Sequence, residues 1–245
     1  MKKIFLNLSK EVKTLLLAVI VLTLIFAFND NKPSFILSNW LSNLFLVLFL
    51  VIITLLFHIA GVKLAANYFD QEARFKFWHI KQFYFTEKRH LPLPFPIGII
   101  IALFFTLISN GTSFFTAITT FEISNKKRIG RSFPNISEKE IAFICFWGIF
   151  ANLVLLMFFK FINIPQGVLI NSWFIIWNLL PITDLMGSQM FFSYRILYLF
   201  FLFFIIIFLL LISFISLPFT LVISILISIV LIIIYFYFRE YPKPK

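Results

Sequence analysis

Polar groups are costly inside long apolar runs, so the few that interrupt such runs mark where chemistry is to be sought. His58 is the first, in LLFHIAGVKLAAN at residues 55–67. A zinc-hydrolase helix needs a second His four residues later, on the same face, and a Glu beside the first His as general base. Those two places hold Val62 and Ile59, which neither bind metal nor move a proton. The ordinary role for His58 is helix packing, with a hydrogen bond across a bundle. Gly61 and Ala65, four apart, read as a close helix contact beside it.

The second feature is WNLLPITDLMGSQMF, residues 177–191. Asn178, Pro181, Asp184 and Gly187 break an otherwise apolar stretch, and freed backbone groups at such breaks must be met by neighbours or water, so they line cavities. Asp184 is the only acid between Glu140 and Glu240. It belongs at a membrane edge or facing a polar interior. As a replacement metal ligand it would need His58 and either His79 or His90, with the intervening connector folded back. Cys145 is the single cysteine and sits in an apolar run, so neither an internal disulfide nor a cysteine metal cluster is available.

The elements that must position these residues follow from composition. Of 245 residues, 61% are hydrophobic, 13% are charged and 37 are Phe, with a mean hydropathy of +1.01. A soluble domain carries about a quarter charged residues, so this chain lacks the surface to meet water and bilayer is the solvent that suits it. The net charge of +11 comes from Lys and Arg in short connectors. That placement orients a membrane protein against anionic headgroups and argues against a nucleic-acid partner.

The fold class expected is an all-α integral membrane protein, a polytopic bundle of about six or seven segments with a small β-hairpin or edge-strand insertion. Residues 14–28 form a first, uncleaved apolar segment, and a long helix runs from about Ile36 to Tyr68. The aromatic, basic connector FDQEARFKFWHIKQFYFTEKRHLPL follows as an interfacial belt. The run 95–110 is short for a crossing, and its two flanking connectors hold five Lys/Arg each, which favours a re-entrant segment. The alternation in TSFFTAITTFEISNKKRIG predicts a β-hairpin with a basic turn within residues 111–131. Residues 141–161 and 168–183 are further helices, and a polar break runs from Asp184 to Ser193. The apolar run 194–238 is too long for one span, with Pro218 at the bend. Three parts result: a membrane anchor and connector at 1–44, a core at 45–195, and a helical hairpin with a basic tail at 196–245.

The order of these features resembles the site-2-protease group of intramembrane zinc metalloproteases, over about residues 45–195. That family carries H-E-x-x-H on one membrane helix, a small-residue helix with an Asn, and N-x-x-P-x-x-x-L-D-G on a later helix. His58 falls on the first His, Asn152 in WGIFANLVL on the Asn, and Asn178, Pro181, Leu185 and Gly187 on the last motif. Glu72 to Trp78 resembles the strand after the active helix. Ile59, Val62 and Met186 stand where the resemblance implies the Glu base, the second His ligand and the Asp ligand.

A catalytic zinc needs three protein ligands and an open position, so the resemblance implies a homologue without catalytic residues. His58 remains as a vestigial ligand, no cofactor is expected, and zinc is the metal if an active centre persists. The expected function is binding of transmembrane segments of other proteins within a prokaryotic cell membrane, with the lipid bilayer as the other partner. The alternatives are an active metalloprotease with shifted ligands and, from a different class, a small-solute channel or transporter.

Overall fold

The computed structural model describes residues 2–30, 35–82, 90–125 and 137–240, with the backbone alone at residues 2–9, 80–82, 90–94, 239 and 240. Eight helices and four short strands make up these residues. Helix α1 (Lys2–Ala27) leads to α2 (Leu37–Tyr68), which runs unbroken past residue 44. Among the described residues, three helices are long and apolar enough to cross a membrane: α2, α4 (Glu138–Phe161) and α8 (Leu217–Glu240, counted to Phe238). Of the six or seven membrane segments expected, these three meet the spanning length among the described residues, and shorter apolar helices lie at α3 (Ile97–Ile108) and α7 (Arg195–Leu211).

Helix α2 ends where Asp70 takes a left-handed φ of 56°, a conformation that Asp tolerates better than most residues. The chain then turns into strand β1 (Gln71–Phe77). The remaining strands are β2 (Ile80–Gln82), β3 (His90–Phe95) and β4 (Thr119–Asn125). Strand β1 pairs antiparallel with β4, from Gln71 opposite Asn125 to Phe77 opposite Thr119. The alternating half of the hairpin predicted within 111–131 contains a strand, β4, and its partner among the described residues is β1, more than forty residues earlier in the chain, where the Phe75 and Phe121 rings meet tilted with centroids 5.3 Å apart. The basic turn expected at 126–131 lies outside the described residues.

The inner face of the sheet buries Ala73, Phe75 and Phe121. Charged side chains occupy other positions, with Arg74 on Glu72 at 3.0 Å and Lys76 on Glu122 at 3.4 Å. The neighbouring carboxylate holds the Arg74 guanidinium above its ordinary pKa. Phe75 and Trp78 are buried, so this part of the aromatic connector packs into the core and is not an interfacial belt.

The run 95–110 forms α3 in one direction, and residues 111–118 bring the chain back. Gly98 N–H donates to Trp78 O at 3.5 Å as α3 begins, and Trp78 N–H donates to Ile118 O at 2.9 Å as the return arrives. The far tip is a turn at Asn110 and Gly111, both with positive φ, and Asn29 Nδ2 at the end of α1 donates to Asn110 O at 3.0 Å. A β-carbon at Gly111 would lie 2.9 Å from both Asn29 and Phe28, so glycine serves conformation and close approach together. The returning segment carries buried Phe114, Phe115, Thr116 and Ala117. Its backbone is met from outside, with Trp177 Nε1–H donating to Phe114 O at 2.6 Å.

Helix α4 opens with a Ser137–Glu140 capping box and packs on α2, on α5 (Pro165–Leu179) and on α6 (Met186–Ser193). The polar break expected at Asp184–Ser193 is shifted: the unwound stretch is 180–185, and Met186 onward is helical. Leu180 is extended, as the residue before a proline prefers, so Pro181 ends α5 there. At the other expected bend the break is 212–216, and Pro218 lies in the first turn of α8, where its missing N–H costs nothing.

Candidate functional site

Helices α2 and α4 approach closely because their facing residues are small. A β-carbon on Gly61 would meet Trp147 O at 2.6 Å and Ala151 Cβ at 2.8 Å. One turn away, His58 lies against the backbone of Gly148. Its Nδ1 is 3.0 Å from Gly148 O and 2.7 Å from Asn152 Oδ1.

The Asn152 amide is oriented by its other contacts, since Nδ2 donates to Thr54 O at 3.1 Å and to Asn171 Oδ1 at 3.2 Å. Asn171 Nδ2 donates in turn to Thr54 Oγ1 at 3.1 Å and to Gly167 O at 2.9 Å. Both groups facing His58 Nδ1 are therefore acceptors, and this nitrogen carries the ring proton. Nε2 is left as the basic nitrogen. The His58, Asn152, Asn171 and Thr54 side chains are all buried. They tie α2, α4 and α5 together as polar groups do where no water competes.

The His58 ring is flanked by Phe174 of α5, edge-on at 4.9 Å between centroids, and by Phe121 of β4 at 5.6 Å. A β-carbon on Gly148 would collide with Val62 Cγ2, lie 2.9 Å from Met186 Cε and lie 3.5 Å from His58 Cε1. Positions 58, 62 and 186 thus meet around one glycine, although the last comes from a separate helix more than a hundred residues later. The donors offered there are one imidazole nitrogen, an isopropyl group and a thioether. They do not fit a zinc ion, which wants three nitrogen, oxygen or thiolate ligands, and no metal-dependent step is derived from this centre.

The other predicted residues fall in different places. Asn178 is buried but donates to Phe174 O of its own helix at 2.8 Å. Gly187 is required by packing, because a β-carbon there would overlap the carbonyl groups of Leu179 and Leu180. It lets α6 start directly beneath the end of α5. Asp184 has an exposed side chain, while its backbone C=O accepts from Thr120 Oγ1 at 2.6 Å and Gln189 Nε2 at 3.0 Å. His79 Nδ1 lies 2.7 Å from Phe77 O, and the side chain of His90 is outside the description. Among the described residues, no group of three or more His, Cys, Asp or Glu gathers as a metal site would require.

Thr54, Asn171, Phe121 and Phe174 were not singled out in the sequence. Asn171 carried a signal, as an Asn in the apolar run VLINSWFIIW. Thr54 lies one turn before His58 and was legible only as a neighbour on the same face.

Next to this closed centre lies a groove of about 430 Å³ between β4, the start of α4 and α6. Phe121, Glu122 and Ile123 line one side, Ser188, Gln189 and Phe192 the other, and Ile141 the α4 end. Gln189 Nε2 crosses it to donate to Phe121 O at 3.3 Å. A strand's N–H and C=O groups point to alternate sides, residue by residue. Ile123 therefore presents its backbone groups on the same side as Phe121, away from β1 and toward the groove. A larger apolar cavity of about 530 Å³ between α1, α2 and α3 shares no lining residue with the His58 centre. Its polar members are already engaged, Trp40 Nε1–H with Ala27 O and Thr106 Oγ1 with Ala102 O. No family model matches this chain, and comparison with curated proteins and with solved structures returned no match.

Proposed function

We propose that the chain is a site-2-protease-like membrane protein without catalytic activity, which holds an extended segment of another membrane protein beside β4. The observation that carries this reading is the meeting of positions 58, 62 and 186 around Gly148. These are the three positions that the resemblance assigns to zinc, and nothing in composition or helical periodicity requires residues from α2 and α6 to gather there. With Val62 and Met186 in two of them, the centre is an apolar packing cluster around a hydrogen-bonded histidine.

The binding half of the reading rests on the groove. Its β4 wall offers main-chain hydrogen-bonding groups, which pair with any extended peptide irrespective of sequence. Three helices of spanning length are compatible with a membrane setting for such a partner.

The test has two parts. Zinc per chain is measured in detergent-purified protein beside His58→Ala, with negligible metal expected in both. Stoichiometric zinc that is lost in the variant would overturn the inactive reading. Separately, a photo-crosslinker at Ile123 in proteoliposomes should capture a synthetic apolar membrane peptide with a central Gly-Ser-Asn-Gly break. Failure to label that peptide above a crosslinker at exposed Phe219 of α8 would end the binding reading.

A further inference from the structure

Among the groups bordering the groove, Gln189 does something the others do not. Its side-chain amide reaches from α6 to the outer edge of β4 and occupies the Phe121 carbonyl from the side opposite β1. The same Nε2 donates to Asp184 O at 3.0 Å, and Oε1 accepts a long hydrogen bond from the Cys145 thiol at 3.6 Å. A primary amide has the donor and acceptor chemistry of a peptide unit. Here it sits where the backbone amide of an added strand would sit.

We infer that Gln189 is an internal stand-in for the bound strand, a cap that an incoming extended segment must displace. This rests on the proposed binding function and deepens it by naming what regulates the edge. The segment's N–H replaces Gln189 Nε2–H at Phe121 O, and the neighbouring Ile123 backbone pairs next along the edge. The released Gln189 amide keeps Asp184 O and Cys145 as partners, so α6 does not have to unwind for the edge to open. Displacement exchanges one neutral hydrogen bond for another. The cap therefore tunes affinity for a segment that pairs with this edge.

The experiment is photo-crosslinking at Ile123 in full-length protein in proteoliposomes, with the same Gly-Ser-Asn-Gly peptide titrated by mole fraction. Wild type is compared with Gln189→Ala and with Gln189→Met, which keeps length and packing but lacks the amide. Half-saturation is expected at about five-fold lower peptide in the variants, the equivalent of about 1 kcal/mol when tenfold corresponds to about 1.4 kcal/mol. Should the Ala variant lose its thermal transition, the Met variant decides the question. Equal half-saturation in wild type and a folded variant would overturn the cap and leave strand binding intact. Absence of labelling in all three would overturn the binding reading, and the cap with it.

Discussion

The His58 centre and the β4 groove lie on opposite sides of Phe121 and differ in almost every physical respect. At the centre, the His58, Asn152, Asn171 and Thr54 side chains are buried and linked by hydrogen bonds inside the bundle, and aromatic rings close on the imidazole from two sides. At the groove, the backbone of a strand faces a channel and, among the described residues, is met at Phe121 O by the Gln189 side chain. Removing a ligand set from a buried site costs little once apolar groups refill the space, because packing replaces coordination. Removing the edge would require unmaking the β1–β4 ladder. On the proposed reading, chemistry and recognition are separable, the first depending on three side chains around Gly148 and the second on the backbone of β4.

The sharpest way to break the comparison is to install the residues that the resemblance assigns to a zinc centre. Ile59→Glu, Val62→His and Met186→Asp together should give stoichiometric zinc retained through desalting, measured by elemental analysis, because positions 62 and 186 already meet His58 around Gly148. A combined variant that folds and binds no zinc would show that the convergence is packing alone.

The next largest effect should come from the network that fixes the centre. Asn152→Leu strips partners from His58 Nδ1–H, Thr54 O and Asn171 Oδ1, and a loss of about 3 kcal/mol is expected from leaving several buried groups unmet. Denaturation in mixed micelles measures it, and a loss below that of an exposed control substitution would remove the network from the account. Gly187→Ala should cost about 2 kcal/mol through the forced shift of α6 against Leu179 and Leu180, read in the same assay.

Asp184 supplies the smallest expected effect. Since its backbone carbonyl, not its side chain, makes the recorded contacts, Asp184→Asn should change stability by less than about 0.5 kcal/mol and leave the zinc content of the parent protein unchanged. A larger change would mean that the exposed carboxylate has a partner the edge comparison does not include.

Much of the helical content was legible in the sequence because apolar run length and its interruptions are local properties. The span from Ile36 to Tyr68 and the breaks near Pro181 and Pro218 follow from such signals, whereas the strand before Trp78 was expected only from the resemblance. Alternation in residues 111–125 announced a strand, yet its partner could not be read, since pairing depends on which distant strand presents a matching buried face. His58 could be read as a hydrogen-bonded packing residue, whereas the identities of Asn152, Asn171 and Thr54 as its network required the crossing of three helices.

By itself, the sequence determined that the chain suits an apolar solvent, where its long helices run, and that Ile59, Val62 and Met186 have no acid–base or zinc-binding chemistry. Only the tertiary structure decided that positions 58, 62 and 186 meet at one glycine, that α3 starts and the returning segment arrives at Trp78, and that Gln189 reaches the edge of β4. The physical reason is range. Hydrophobicity and propensity act over a turn or two of chain, while a site is made by close approach between elements, which small residues such as Gly61, Gly148 and Gly187 permit but do not direct.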